Sequence, residues 1–186
     1  LQRKHCKWDR YQILQCYMVM GGIPFYLSLI DPRQSLVQNV DRLFFSHGGI
    51  MRGEFDELYN ALFSNAELYI SVVKALAQHH DGMTRTEISK VIGANGGTLT
   101  RVLTNLERCD FISRSQNFGC KTKDTIYRLM DFYTLFYYKF IAQDTSGDEQ
   151  WWSHNFESRL VSTWQGLTFE IVCLMHTDCI KKALGI

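Results

Sequence analysis

Between residues 97 and 128 the chain gathers side chains whose chemistry suits recognition of a polyanion. Thr98, Thr100, Arg101, Thr104, Asn105 and Arg108 fall on the polar side of a helix whose other side would bury Leu99, Val102, Leu103 and Leu106. Arg114, Lys121 and Lys123 follow, the lysines in a polar loop between two short apolar runs. Hydroxyl and amide groups hydrogen-bond base edges, and guanidinium and ammonium groups pair with phosphates. In a winged helix that reads DNA, the third helix enters the major groove and the wing touches the backbone. That geometry assigns Thr98, Thr100, Arg101, Thr104 and Asn105 to the groove, and Arg114, Lys121 and Lys123 to phosphate. The same face could instead dock against another part of the chain. A formal charge of +1, from 20 basic and 19 acidic residues, supplies no global field that decides between the two.

Other chemistries find less support. The sequence has no GxxxxGK[ST] loop to cradle phosphates and no apolar strand ending in paired acids for Mg²⁺, so this stretch by itself is expected not to be an ATPase or any other enzyme. Cys6, Cys16, Cys109, Cys120, Cys173 and Cys179 show no CxxC or CxH spacing and read as reduced thiols of a cytosolic protein. His79 and His80 close a helix, where polar groups meet the free carbonyls. Trp151, Trp152, Phe156 and Trp164 read as core, and Glu170 as a partly solvated helix residue. No signal peptide and no apolar run of roughly 18 residues is present, which points to a soluble, cytoplasmic chain without a membrane partner. Leu1 in place of Met, and the apolar close at Ile186, read as ends cut from something longer.

The elements that would position these residues are mostly helical. Asp9 and Gln12 open a helix carrying Tyr11, Leu14, Tyr17 and Met18, which stops at Gly21-Gly22. Pro24 suits the first turn of a second helix that ends at Asp31-Pro32. Leu36 to Phe44 and Phe55 to Leu62 mark two more, separated by His47-Gly48-Gly49. Ser64-Asn65-Ala66-Glu67 and Thr84-Arg85-Thr86-Glu87 both have the form of a capping box. They would open helices carrying Tyr69, Ile70, Val72, Val73 and Leu76, then Ile88, Val91 and Ile92. After the Gly93 to Gly96 turn comes the helix with the polar face, then strands around Phe111 to Ser113 and Thr125 to Leu129. Helix, helix, helix, hairpin is a winged helix. From Asp131 the pattern is helical again, with a polar break at residues 144–149.

The stretch Tyr17-Met18-Val19-Met20-Gly21-Gly22-Ile23-Pro24-Phe25-Tyr26-Leu27, the winged helix, Asp131 to Tyr137, and Trp164 to Glu170 together resemble the archaeal-type AAA (P-loop) ATPases common in Bacteroidetes. The resemblance spans nearly the whole chain. It implies a mainly α fold: a helical AAA-type lid over 1–63, a winged helix-turn-helix with a small β-hairpin over 64–130, and helices over 131–186 that begin a nuclease-like C-terminal domain. It also implies that Gly21, Gly22 and Pro24 face a nucleotide, that ATP and Mg²⁺ serve the parent rather than this piece, and that the missing P-loop core is a partner. Under that reading the chain is a nucleotide-responsive lid coupled to a winged helix that binds DNA or docks internally, with a homo-oligomer possible. Two rivals stand beside it: a stand-alone winged-helix DNA-binding regulator, and part of a metal-dependent nuclease whose first acidic position Glu170 would match.

Overall fold

The computed structural model describes residues 7–115 and 125–185. The chain separates into two compact units, Leu1–Arg52 with Asp144–Ile186, and Gly53–Gln143. The lid segment 1–63 and the C-terminal segment 131–186 drawn from sequence each contribute residues to both units.

Among the described residues, the regular elements of the first unit are all helices. Its N-terminal part holds α1 (Arg10–Met20), α2 (Pro24–Ser28), α3 (Leu36–Val40) and the start of α4 (Ile50–Leu62). Its C-terminal part holds α9 (Trp151–Asn155), α10 (Arg159–Met175) and α11 (Thr177–Leu184). Asp9 and Gln12 form the capping box expected of them. Asp31-Pro32 ends the second helical stretch, and the turn that follows is locked by Asn39, which has no exposed surface. Its amide accepts from the Asp31 N–H at 2.8 Å and donates to the carbonyls of Asp31 and Ser35, both at 3.0 Å.

The helix expected over Leu36 to Phe44 is α only as far as Val40, then widens into a π-helical turn, Asp41–Phe45. The first residue of that turn is a buried carboxylate. Asp41 accepts from the Trp152 N–H at 2.8 Å and from the Ser153 N–H and hydroxyl, thereby capping α9 from 111 residues away. Burial pushes the Asp41 pKa above the usual carboxylate range, and the bonds from Ser153 and Trp152 only partly offset it. Phe45 stacks on Trp151 beside it, with ring centroids 5.3 Å apart. All four tryptophans, Trp8, Trp151, Trp152 and Trp164, belong to this unit.

The second unit contains most of α4, then α5 (Ala66–Ala77), β1 (Met83–Thr84), α6 (Arg85–Ile92), α7 (Gly96–Arg108), β2 (Ile112–Ser115), β3 (Ile126–Leu129) and α8 (Phe132–Phe136), which runs into a second π-helical turn, Tyr137–Ile141. The three strands form an antiparallel sheet in the order β1-β3-β2, with Met83 opposite Tyr127 and Ile112 opposite Leu129. The fold is therefore mainly helical with a small sheet, in the order of a winged helix. Sequence periodicity located both hairpin strands but missed β1, whose two residues are too few to show alternation.

The Thr84 capping box is present, whereas the one expected at Ser64 is not. The helix there begins at Ala66 with Asn65 as N-cap and no side-chain bond. Leu99, Val102, Leu103 and Leu106 are buried as their spacing required, while Val91 is 61% exposed rather than core. Aromatic side chains from and beside α4, α5 and the second π-helical turn contact one another. Phe55 stacks on Tyr137 at 4.1 Å, Phe63 on Tyr69 at 3.9 Å, and the Tyr59 hydroxyl bonds the Thr134 hydroxyl at 3.1 Å.

Because the folded Asp41 pKa lies above its unfolded value, this group's contribution is most favourable when protonated and is lost as pH rises from the ordinary carboxylate range through the raised value. Asp41→Asn removes that slope, so the stability of wild type minus variant, followed by tryptophan emission in denaturant, should fall with rising pH; a difference independent of pH would contradict the assignment. Gly82 has φ +83°, and a Cβ there would lie 2.6 Å from the Tyr127 carbonyl oxygen and 2.6 Å from Ile126 Cγ2. Gly82→Ala should therefore cost roughly 3 kcal/mol in unfolding monitored by far-UV circular dichroism.

Candidate nucleic-acid interface

The face singled out by sequence lies on α7 and the hairpin. Thr98 and Arg101 are exposed on the first turns of α7, and Arg101 forms no hydrogen bond or ion pair with the described residues. Thr104 is half-buried further along.

Three of the expected contact residues are engaged inside the unit. The Thr100 hydroxyl donates to the Gly96 carbonyl at 3.1 Å and accepts from Arg85 at 3.0 Å. The Asn105 amide donates to the Tyr69 hydroxyl of α5 at 2.8 Å, which directs it toward the core side of α7 rather than outward. Arg114, on β2, pairs with Glu107 of α7 at 3.1 Å. Both side chains are partly exposed, so the pair is weak and salt-sensitive. Lys121 and Lys123 lie outside the described residues.

Arg85, Glu107 and Tyr69 were not singled out by sequence, because the contacts that give them roles cross from one element to another. Only Glu107 left a signal, as a lone acid among the polar residues of α7. Charge is also divided along this unit. Residues 84–128 carry eight lysines and arginines against four carboxylates, while the remainder of residues 53–143 carries two against six. A unit with no net charge thus concentrates positive charge in the helix-turn-helix and wing.

Gly21, Gly22 and Pro24, the residues expected to face a nucleotide, form a corner between α1 and α2. Gly21 is buried at φ +67°, caps α1, and donates its N–H to the Tyr17 carbonyl at 2.8 Å. Pro24 occupies the first turn of α2, where its missing N–H costs nothing. The corner is accounted for by helix termination and restart. His79 closes α5 by bonding the Ala75 carbonyl at 2.8 Å through Nδ1. Among the described residues, no three His, Cys, Asp or Glu side chains are grouped to hold a metal, and Glu170 is exposed midway along α10. No helix of the described residues is long and apolar enough to cross a membrane.

Residues 71–118 match the MarR family, a span that runs from α5 through β1, α6 and α7 to β2 and beyond. No curated protein and no solved structure matches the chain. The match corrects the resemblance to archaeal-type AAA ATPases: the family found is a different one, and neither an AAA ATPase nor a nuclease family is matched. The AAA-type lid and the nuclease-like C-terminal domain go with that resemblance. What remains of the earlier pattern is the winged helix, where capping box, glycine turn and buried spacing agree with one another.

The Asn105 contact gives a direct check of how α7 is seated. Tyr69→Phe keeps the ring on Phe63 but removes the acceptor for Asn105, and should lower the unfolding free energy by about 1 kcal/mol. An unchanged denaturation midpoint would mean that Asn105 is free to face outward.

Proposed function

We propose that the chain is a winged-helix DNA-binding protein of regulatory type, with α7 as the helix that enters the major groove and the hairpin as the phosphate-contacting wing. The observation that carries this reading is the state of the α7 face. Thr98 and Arg101 are exposed on the first turns of the helix and engage no partner among the described residues, in the part of the unit where positive charge collects. A recognition helix presents its N-terminal residues to base edges, and these are the positions left open. Arg101 is the residue for a guanine edge or an adjacent phosphate, and Thr98 for a base edge or backbone oxygen. Lys121 and Lys123 add phosphate contacts, and Arg114 joins them when DNA competes with Glu107 for its guanidinium.

The MarR match supports the reading, since members of that family bind DNA and often act as dimers. The proposal extends both properties to this chain and places it in the cytoplasm. Exposed Leu160, Leu167 and Leu174 along α10 are compatible with a second copy.

The test is binding to a random-sequence duplex across a salt series. Binding should weaken steeply as salt rises, Arg101→Ala should weaken it by roughly tenfold, and Lys121→Ala/Lys123→Ala should reduce the salt slope by about one to two. Absence of binding at low salt would overturn the reading and favour a winged helix that docks within its own chain.

A further inference from the structure

We propose that Arg85 is a positioning residue for the recognition helix, holding the angle at which α7 is presented to DNA. The inference rests on the reading of α7 as a DNA reader and deepens it. Its starting point is the corner between α6 and α7, which is short and permissive. Gly93 ends α6 in the left-handed region at φ +68°, and Gly96 opens α7 at φ +58°. Asn95 is the N-cap of α7 but provides no side-chain bond to its free N–H groups. Buried Ile88, Leu99, Val102, Leu103 and Leu106 hold the two helices against the core, but two glycines and an idle cap leave the backbone of the corner itself little means of fixing the first turn of α7.

Arg85 supplies a local constraint on that first turn. One terminal nitrogen of its guanidinium donates to the Gly96 carbonyl at 2.8 Å and to the Thr100 hydroxyl at 3.0 Å. The Thr100 hydroxyl directs its single proton to that same carbonyl, so its lone pair is available for Arg85. The result is a closed triangle of three groups over the first turn of α7. Both bonds come from one terminal nitrogen of the guanidinium, which extends further from the backbone than a lysine ammonium does, so lysine at this position falls short of the pair of acceptors.

The other end of the tether is equally fixed. Arg85 is the first residue of α6, directly after Thr84, whose N–H and hydroxyl both donate to Glu87 Oε2, at 2.7 Å and 2.8 Å. Thr84 also pairs with Ile126 in the sheet. Sheet, capping box, Arg85 and the start of α7 therefore form one continuous linkage from the wing to the recognition helix. With its hydroxyl engaged in that linkage, Thr100 acts through the orientation of α7 rather than by touching a base, and direct readout passes to Thr98 and Arg101.

The experiment uses the full chain with Arg85→Ala, Arg85→Lys, Thr100→Val and Thr100→Ser. Amide hydrogen exchange of residues 96–100 in the free protein is read first, then binding to the duplex that wild type enriches from a random-sequence pool, compared with the unselected pool. Arg85→Ala and Thr100→Val should each speed exchange at the start of α7, leave α5 unchanged, and weaken binding to the enriched duplex by about tenfold while affecting the unselected pool little. Thr100→Ser should behave as wild type, Arg85→Lys as Arg85→Ala, and the double change Arg85→Ala/Thr100→Val should lose no more than either single change. Unchanged exchange in Arg85→Ala would overturn the proposal. So would an equal loss on both DNA pools that Arg85→Lys restores, since that is the signature of a phosphate contact. Wild type that bound no duplex, with exchange still accelerated by Arg85→Ala, would refute the DNA reading while leaving the tether established.

Discussion

The placement of the winged helix depends on one strand being shared. β3 lies in the middle of the sheet, with β2 on one side and the two-residue β1 on the other. The β2 pairing is local and builds the wing. The β1 pairing is not, since it joins Met83 and Thr84 to residues more than forty positions away and fixes where α6 begins relative to the hairpin. Such a pairing gains only a few hydrogen bonds against the closure of a long loop, so it needs support. Gly82 allows the backbone to approach Tyr127 without a Cβ in the way, and Arg128 reaches back to the Asp81 carbonyl at 3.3 Å. With β1 held, α6 inherits its position through the Thr84 box, and the contacts of Arg85 with Gly96 and Thr100 carry that position on to α7.

What could be read from sequence was what is encoded over short distances. The box at Thr84, the box at Asp9 and the spacing of Leu99, Val102, Leu103 and Leu106 each involve residues within two helical turns, and each is present. Ser64 shows how such a pattern can mislead. Ser-Asn-Ala-Glu has the composition of a box, yet the helix starts one residue late for it because the chain enters through Asn65. Long-range contacts left weaker marks or none. Asn105 falls on the polar side by spacing, but Tyr69, thirty-six residues earlier, takes its amide inward. Asp41 reads as an ordinary polar residue inside the helix expected over Leu36 to Phe44, yet it caps a helix more than a hundred positions downstream.

The AAA resemblance failed for a related reason. A Gly-Gly-Ile-Pro corner and aromatic residues at helical spacing recur wherever helices stop, restart and pack, so they carry little family information. The segment matched to the MarR family is the one where independent local signals agree: a box, a left-handed glycine, an amphipathic helix and a strand in fixed order. Consistency among signals of different kinds was more informative than the breadth of the resemblance.

The division of the chain has a consequence for how it is made. Residues 53–143 form a continuous stretch, whereas the other unit takes residues from both sides of it. On a ribosome the continuous unit can complete its core as soon as it has emerged, while residues 7–52 must wait for the C-terminal helices. During that interval Phe45 has no Trp151 to stack on, and Asp41 has no Trp152 amide to accept from. The early segment thus waits with part of its core unpaired, and the end of that wait is timed by translation of a distant stretch rather than by its own folding rate.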